Sequence, residues 1–224
     1  MISIIVPVLN EELHVARCID SLRAEGFSEE IIVADGGSTD RTREVALSHS
    51  NVTVIDSPKG RGSQMNAGSA VATGDILLFL HADTILEQGW AKELSAALDD
   101  QSVVGGAFSF CIDNPAMKYR LVEAWVRLRC RIFRLPYGDQ AIFIRKTAFQ
   151  ELGGYKEIPL MEDVDIIGQM KKLGSISMLQ KRAVTSGRRW VRKGIFRTAA
   201  INQMTMLMFH LGVSPEKLAR LYYR

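Results

Sequence analysis

The chain has 224 residues, of which 47% are hydrophobic, so it is long enough to bury one substantial core. Its formal net charge of +3 is too small an excess to indicate a nucleic-acid-binding protein. No stretch approaches the roughly 18 apolar residues that a membrane-spanning helix needs, so the sequence predicts a soluble or peripheral protein.

The cysteines and the N-terminus point to the cytoplasm. Cys18, Cys111 and Cys130 are odd in number and have no spacing typical of a metal or redox site. We therefore expect reduced, buried thiols in a cytoplasmic protein. Residues 2–6 form an apolar run without a basic region or a cleavage site, which favours a first strand over a signal peptide.

The first half alternates between apolar runs and helical patterns. Runs rich in Ile, Val and Leu predict strands buried on both faces over residues 2–8, 30–34, 52–55 and 76–80. Apolar residues at helical spacing predict helices over residues 12–23, 41–48 and 63–72. This alternation predicts an α/β fold with a mostly parallel sheet and helices on both faces, whose ligands bind beyond the carboxyl ends of the strands.

Polar residues follow each of these four strands. They occupy positions 10–12, 35–40, 59–62 and 81–83. Because the carboxyl ends of parallel strands meet at one edge of a sheet, these residues are the first candidates for chemistry.

The second half is less regular. We predict strands over residues 103–110 and 140–145, a basic amphipathic helix over 117–133, and a helix over 162–172. Glycines at 153–154 and 187 predict loops over residues 153–155 and 187–190 that could close over a site.

The predicted organisation is one domain over residues 1–190, divided into halves at residues 1–100 and 101–190, followed by a tail over residues 191–224. Residues 195–211 of the tail are rich in Met, Phe and Leu. Such a segment is typical of an amphipathic helix on a membrane surface, of a contact in a homodimer, or of a helix packed on its own domain.

Seven short motifs occur in order along the first 175 residues, and together they resemble glycosyltransferase family 2. They are Pro-Val-Leu-Asn-Glu-Glu (7–12), Asp-Gly-Gly-Ser-Thr-Asp (35–40), Asn-Ala-Gly (66–68), Thr-Gly-Asp (73–75), His-Ala-Asp (81–83), Gly-Asp-Gln (138–140) and Glu-Asp (162–163). Residues 159–163 and 188–190 resemble, more narrowly, a short bacterial subgroup linked to arsenosugar biosynthesis. The resemblance implies a GT-A fold with a small acceptor-side subregion, a nucleotide-sugar donor, usually a divalent cation, and transfer with inversion at the anomeric carbon. It also implies that residues 1–100 are the nucleotide-sugar-binding half and residues 101–190 the acceptor and catalytic half.

The resemblance also implies where the donor nucleotide binds. Asp35 would accept hydrogen bonds from the base, and because a carboxylate can only accept, it suits the N–H edge of uracil. The alternative is that Asp35 caps the following turn, as we expect of Asp40. Gly36 stands where the family usually has a second aspartate, which leaves the identity of the base open. The other implied nucleotide-binding residues are Pro7, Asn10, Glu12, Gly62, Asn66 and Asp83.

The His-Ala-Asp motif matches the metal motif of the family. Asp83 would hold a cation on the donor diphosphate, and a carboxylate suits Mg²⁺ or Mn²⁺. His81 occupies the first acidic position of that motif. Imidazole is a poor Mg²⁺ ligand and a better one for Mn²⁺, so His81 is either a ligand that alters metal preference or a structural neighbour.

Asp163 matches the catalytic base of the family. An inverting transfer needs one carboxylate to deprotonate the acceptor hydroxyl, and Glu162 beside it would point elsewhere on a helix. The alternative for both acids is stabilisation of a helix N-terminus. Gln140, Arg189 and Trp190 are predicted to contact the acceptor or a phosphate, with Arg189 and Trp190 partly matching a Gln-x-x-Arg-Trp motif whose glutamine is missing here. The alternative is a solvated basic surface.

The sequence therefore predicts an inverting transferase that moves a sugar from a UDP-sugar to a small molecule or lipid. We expect it in the cytoplasm or at the inner membrane face. The three-glycine fingerprint of a dinucleotide-binding oxidoreductase is absent, and the residues after the first strand differ from a nucleotidyltransferase loop. The alternative is a nucleotide-sugar-binding scaffold without catalysis.

Overall fold

The computed structural model describes residues 1–24 and 30–223. Their strands are β1 (Ile2–Val8), β2 (Glu30–Asp35), β3 (Val52–Asp56), β4 (Ile76–Phe79), β5 (Thr84–Leu86), β6 (Val103–Asp113), β7 (Ile142–Arg145) and β8 (Ser175–Ser186). Their helices are α1 (Val15–Ala24), α2 (Thr42–Leu47), α3 (Arg61–Val71), α4 (Trp90–Ala97), α5 (Met117–Phe133), α6 (Lys146–Glu151), α7 (Glu162–Leu173), α8 (Arg188–Lys193), α9 (Ile195–His210) and α10 (Pro215–Tyr222).

The strands form one sheet in the order β3-β2-β1-β4-β7-β6-β8-β5. The four strands of the first half are parallel to one another, as predicted. β7 then pairs antiparallel with β4 and β6, whereas β8 runs parallel to β6 and antiparallel to β5. The predicted mostly parallel α/β fold is confirmed.

Alternating residues of the central strands enter two different cores. Ile4 of β1 belongs to one apolar cluster with Trp90 of α4, whereas the adjacent Ile5 belongs to another with Met65 of α3 and Ile167 of α7. Successive side chains of a strand point to opposite faces, so these clusters lie on the two sides of the sheet. Because both faces are covered, β1, β2 and β4 are nearly continuous apolar runs.

All seven elements predicted for the first half are present, within three residues at each end. One detail was wrong, because β3 is not buried on both faces. It lies at the outer edge of the sheet, and Thr53 and Asp56 are exposed to solvent.

The second half departs further from the predictions. α5 has the predicted bounds, but residues 138–140 form a 3₁₀ turn and β7 begins only at Ile142. Residues 153–155 form the predicted loop. The loop predicted over 187–190 was wrong, because α8 begins at Arg188.

The antiparallel strands determine which loops reach the site. Because β7 runs opposite to β4, the turn before β7 lies beside the residues that follow β4. β8 ends next to the start of β5, and the Ser186 backbone N–H donates to the Asp83 carbonyl oxygen at 3.0 Å. The start of α8 therefore reaches the same edge of the sheet.

The C-terminal helices pack on the rest of the chain, which is one of the three alternatives given for the tail. Met206 of α9 and Leu218 of α10 form a buried cluster with Leu160, Met161 and Val164. The predicted boundary at residue 191 falls inside α8, and residue 224 lies outside the described residues. No helix in the described ranges is long and apolar enough to cross a bilayer.

The cysteines are free and buried, as predicted. Burial, with a smaller contribution from the charge of Asp83, raises the pKa of the Cys18 thiol to about 12. Cys18 is therefore protonated at neutral pH and unreactive.

Candidate active site

A cavity of about 180 Å³ opens at the carboxyl edge of the sheet. It is lined by side chains from both halves of the chain and from the C-terminal helices. Six residues predicted from the sequence line it: His81, Asp83, Glu162, Asp163, Arg189 and Trp190. Seven others do not contribute to its wall: Pro7, Asn10, Glu12, Asp35, Gly62, Asn66 and Gln140.

Asp35, at the end of β2, is engaged in its own turn. Asp35 is buried, with 5% of its surface exposed. Its Oδ1 accepts hydrogen bonds from the Ser38 N–H (3.0 Å) and from the Ser38 hydroxyl (2.6 Å). This geometry matches the capping alternative. A contact between Asp35 and the nucleotide base remains a prediction.

Two neighbouring loops at this edge hold each other in place. Asn10 has a left-handed backbone (φ 56°), and its side-chain oxygen accepts from the Thr39 N–H at 2.8 Å. Glu12 accepts from the Arg41 N–H at 3.0 Å, while Asp40 accepts from the Glu12 N–H at 3.2 Å. Asn10 and Glu12 thus fix the loops beside Asp35, and their direct contact with the nucleotide remains a prediction.

Asp40 lies two residues before α2, and its Oδ1 accepts from the N–H of Thr42, the first residue of the helix, at 3.0 Å. Pro7 lies within β1, opposite Ala34. Gly36 lies against the side chain of Gln64, which donates to the carbonyl oxygens of Val8 and Ala34. Gln64 therefore occupies space next to the position where the family usually has an aspartate.

Gly62 and Asn66 of α3 contact the loop before α7, and their predicted contact with the nucleotide remains a prediction. The Asn66 side chain donates to the Tyr155 carbonyl and accepts from the Tyr155 N–H, both at 2.8 Å. A Cβ atom on Gly62 would lie 2.5 Å from the Lys156 carbonyl oxygen. Both residues hold this loop against α3.

We expect Gly62→Ala to lower the free energy of unfolding by about 1–3 kcal/mol, because backbone must move to admit the methyl group. Gly168→Ala is the matched control, since no atom lies within 4 Å of a Cβ added at that position of α7. It should stabilise the protein by about 0.5–1 kcal/mol through helix propensity. Urea titrations of the three proteins test this contrast, which equal midpoints would contradict.

His81 and Asp83 follow β4 and face the cavity. Burial and the positive charge of Arg61 lower the pKa of His81 to about 4, so the imidazole is neutral at pH 7. The Asp83 carboxylate lies 3.3 Å from the guanidinium of Arg188, which also donates to Glu11 at 2.8 Å. A neutral imidazole and a carboxylate are both able to bind a cation.

These two residues alone do not complete a metal site. The described residues contain no cluster of three or more His, Cys, Asp or Glu side chains arranged for a cation. Mg²⁺ and Mn²⁺ are commonly held by one or two protein ligands together with substrate phosphates. The donor set at Asp83 fits such an arrangement, in which a diphosphate supplies the remaining oxygens.

Asp163 lies in the first turn of α7, and its Oδ2 accepts from the Gly138 N–H at 2.7 Å. A Cβ atom on Gly138 would lie 3.2 Å from His81 Nε2 and 3.4 Å from Asp163 Oδ2. The backbone at Gly138 therefore lies between His81 and Asp163. The candidate metal residues and the candidate base lie on either side of this turn.

Glu162 is buried beside Asp163, with 4% of its surface exposed. Its carboxylate lies 3.8 Å from the Arg61 guanidinium. Burial raises the pKa of Glu162 to about 7, and the charge of Asp163 adds to this effect while Arg61 opposes it. Glu162 therefore carries a proton in part at neutral pH, unlike an ordinary glutamate.

We expect Glu162→Gln to change how stability depends on pH. The folded protein holds a proton on Glu162 between the ordinary pKa of 4.5 and about 7, so this stabilising contribution is complete below pH 4.5 and is lost as the pH rises through 7. Glutamine does not titrate, so the stability of the variant does not fall in this way as the pH rises. Relative to the wild type it should gain about 2 kcal/mol in unfolding free energy between pH 5 and pH 8. Denaturant titrations at both values test this, with exposed Glu151→Gln as control, and parallel curves for Glu162→Gln and wild type would contradict it.

Asp139, which lies in the Gly-Asp-Gln motif but was given no role from the sequence, and Tyr137, which was not predicted, also line the cavity. Burial raises the pKa of Asp139 to about 6, with Arg129 opposing and Asp163 reinforcing the shift. The Tyr137 hydroxyl is buried and has no hydrogen-bond partner among the described residues. A buried hydroxyl without a partner is available to a ligand. The position of both residues just before a strand next to β4 was the signal that could have identified them.

Gln140 is bound by the protein itself, and its predicted contact with the acceptor remains a prediction. It is 1% exposed, its Nε2 donates to the Phe108 carbonyl at 2.9 Å, and its Oε1 accepts from Tyr137 N–H and from Arg129, both at 3.3 Å. All of these partners belong to the protein, so Gln140 holds the 3₁₀ turn in place.

Arg189 and Trp190 line the cavity from α8. Arg189 donates to the Asn202 side chain at 3.2 Å, and its guanidinium stacks over the Tyr222 ring at 4.4 Å. Trp190 is buried, with its ring centroid 6.4 Å from that of Phe110. Asn202 of α9 and Tyr222 of α10 also line the cavity. These two helices therefore complete its wall, although the domain was predicted to end at residue 190.

Two solved structures have a fold similar to that of this chain. Residues 1–349 of TarS from S. aureus superpose with a TM-score of 0.66 over 82% of this chain and 60% of that chain, at 19% identity. Glucosyl-3-phosphoglycerate synthase from Mycobacterium tuberculosis, in complex with Mn²⁺, UDP and glucosyl-3-phosphoglycerate, gives a TM-score of 0.62 over 83% and 71%, at 21% identity. The fold is therefore that of a GT-A glycosyltransferase, as predicted.

The chain belongs to glycosyl transferase family 2, whose sequence profile matches residues 3–153. Glycosyltransferase AglE of Haloferax volcanii is 28% identical over 168 residues, which cover 69% of this chain and 55% of AglE. A PGL/p-HBAD biosynthesis glycosyltransferase of Mycobacterium tuberculosis is 30% identical over 162 residues, covering 69% of this chain and 63% of that protein. The matched region thus spans little more than half the length of these relatives.

Proposed function

We propose that the protein is a metal-assisted, inverting glycosyltransferase that moves a sugar from a UDP-sugar to a small-molecule or lipid acceptor. The observation that carries this proposal is the placement of Asp83 and Asp163 in one cavity, with the Gly138 turn between His81 and Asp163. An inverting transfer needs a charge-stabilising group on the leaving diphosphate and a base on the acceptor side of the sugar.

The donor side of the cavity is formed by His81 and Asp83, which follow β4, and by Arg61 of α3. TarS has been crystallised with UDP-GlcNAc, and the synthase with Mn²⁺ and UDP-glucose, which supports a UDP-sugar here. The uracil ring of the nucleotide would lie near Asp35, in the region ordered by Asn10 and Glu12. A divalent cation bound to Asp83 would neutralise charge that develops on the departing diphosphate.

The acceptor side is formed by the start of α7 and by α8. Asp163 would take the proton of the acceptor hydroxyl, and the Gly138 N–H holds its carboxylate in place at 2.7 Å. Arg189 lies within the same cavity and is available to a phosphate, while Trp190 and the unpartnered Tyr137 hydroxyl are available to a sugar or acceptor. Glu162 and Asp139 are the other carboxylates within this part of the cavity.

The first test is calorimetric titration of UDP and GDP into the full chain, with and without Mn²⁺, followed by a screen of UDP-sugars for UDP release with candidate acceptors. Binding of UDP that strengthens with Mn²⁺, together with turnover, is the expected result. UDP binding without turnover for any sugar or acceptor would instead support the scaffold alternative. Absence of binding to either nucleotide would contradict the proposed donor site.

A further inference from the structure

The outer face of α5 is covered with apolar side chains. Five of them, between 48% and 76% exposed, repeat every three or four residues and so lie on one side of the helix: Met117, Leu121, Trp125, Leu128 and Ile132. We call this row the α5 stripe. It extends for roughly 22 Å along the helix axis. Isolated exposed apolar residues are ordinary, but a continuous row of this length indicates an interaction surface.

The opposite side of α5 fixes the helix to the protein. Tyr119, Val126 and Cys130 are buried in a cluster with Phe110 and Trp190. The α5 stripe is therefore the solvent-facing side of a helix whose other side is packed against the protein.

Positive charge surrounds the α5 stripe. Lys118, Arg127, Arg131 and Arg134 are exposed and form no ion pair within the described part of the chain. The helix has one acidic residue, Glu123, which is buried and paired with Arg120 at 3.0 Å. The exposed face of α5 is thus apolar along its centre and cationic at its margins.

We propose that the α5 stripe docks on the surface of an anionic lipid bilayer. Apolar side chains would enter the boundary of the acyl chains, while the unpaired cations would contact lipid phosphates. Trp125, near the middle of the row, has the amphipathic ring that is enriched at such boundaries. A two-fold contact with a second copy is disfavoured, because it would place the same arginines of two copies together without a carboxylate on this face.

The stripe is continuous with the candidate active site. Trp125 also lines a shallow cleft between α5 and α9 that reaches Tyr137, Asp139 and Trp190, which are shared with the catalytic cavity. A bilayer held on α5 would therefore present lipids close to the acceptor side of the cavity. This last step rests on the proposed function and points to an amphiphilic acceptor, whereas the docking itself does not depend on catalysis.

Vesicle flotation with the full chain tests the docking. We expect the wild type to float with vesicles of phosphatidylcholine and phosphatidylglycerol, and to float less with phosphatidylcholine alone or at high salt. Leu121→Glu/Leu128→Glu should weaken the partition by about tenfold or more, because two apolar contacts are lost and two repelling charges are added. The matched control Leu47→Glu/Val71→Glu adds the same charges at exposed positions of α2 and α3 and should float as the wild type does.

Calorimetry with UDP on each variant separates docking from the donor site. Loss of flotation with normal UDP binding supports the proposal, and it does so even if no transferase activity is found. Docking is overturned if the wild type does not float with anionic vesicles, or if the α5 variant floats like the control. It is also overturned if sedimentation shows a dimer that only the α5 variant loses, since the face would then be a contact between copies.

Discussion

Asp163→Asn is expected to lower kcat by about 10²–10⁴-fold, because an amide cannot accept the proton of an acceptor hydroxyl. The substitution preserves size, and the amide oxygen can still accept the Gly138 N–H bond that now measures 2.7 Å. UDP affinity should therefore stay within a few-fold of the wild-type value. Steady-state kinetics with the UDP-sugar and acceptor identified by screening, together with UDP calorimetry, measure the two effects separately.

Asp165→Asn is the matched control for this prediction. Asp165 belongs to the same turn of α7 but pairs with Lys156 and Gln169 outside the cavity wall. Its variant should retain kcat. If Asp163→Asn also retains most of its activity, the base is elsewhere in the cavity, and Asp139→Asn becomes the next variant to measure.

Asp83→Asn is expected to remove the part of UDP affinity that depends on Mn²⁺. A neutral amide is a weaker ligand for a hard cation than a carboxylate, so UDP should bind at least about tenfold more weakly in Mn²⁺, equivalent to about 1.4 kcal/mol. Without metal, the wild type and the variant should bind UDP equally. Calorimetric titrations in Mn²⁺ and in a chelator provide the comparison.

The Asp83 carboxylate also pairs with Arg188, so the substitution changes more than metal binding. Asp75→Asn tests the general effect of losing a carboxylate near the same strand, because Asp75 is highly exposed and precedes β4. It should bind UDP as the wild type does. If Asp83→Asn weakens UDP binding by the same factor with and without Mn²⁺, Asp83 acts through the protein and not through a cation.

The first half of the fold was predictable because its strands are central and covered on both faces. A strand such as β1, with Ile4 and Ile5 entirely buried, is apolar at nearly every position, and this is visible in the sequence. By contrast, β8 was missed because Gln180, Lys181 and Arg182 interrupt its apolar residues on a partly exposed surface. β5 has only three residues, too few for any period to show.

The candidate site was predictable where motifs follow strands and unpredictable where distant segments meet. His81, Asp83 and Asp163 could be identified from the family motifs, and all three line the cavity. Asn202 and Tyr222 have no local signal, because they reach the cavity only through the packing of α9 and α10. The protein partners of Asn66 and Gln140 were not predictable, because a polar side chain beside a site looks the same in sequence whether it binds a ligand or the backbone of a neighbouring segment.

The antiparallel pairing of β4 with β7 has a consequence for dividing the chain. β4 (Ile76–Phe79) is bonded to β1 on one side and to β7 on the other. A fragment of residues 1–100 would contain the parallel strands but would leave the backbone of β4 as an uncovered apolar edge. Such edges pair with other chains, so this fragment should aggregate even though its motifs are complete. The two halves of the sheet are therefore not interchangeable modules, and a chimera with a relative would have to exchange β4 and β7 together.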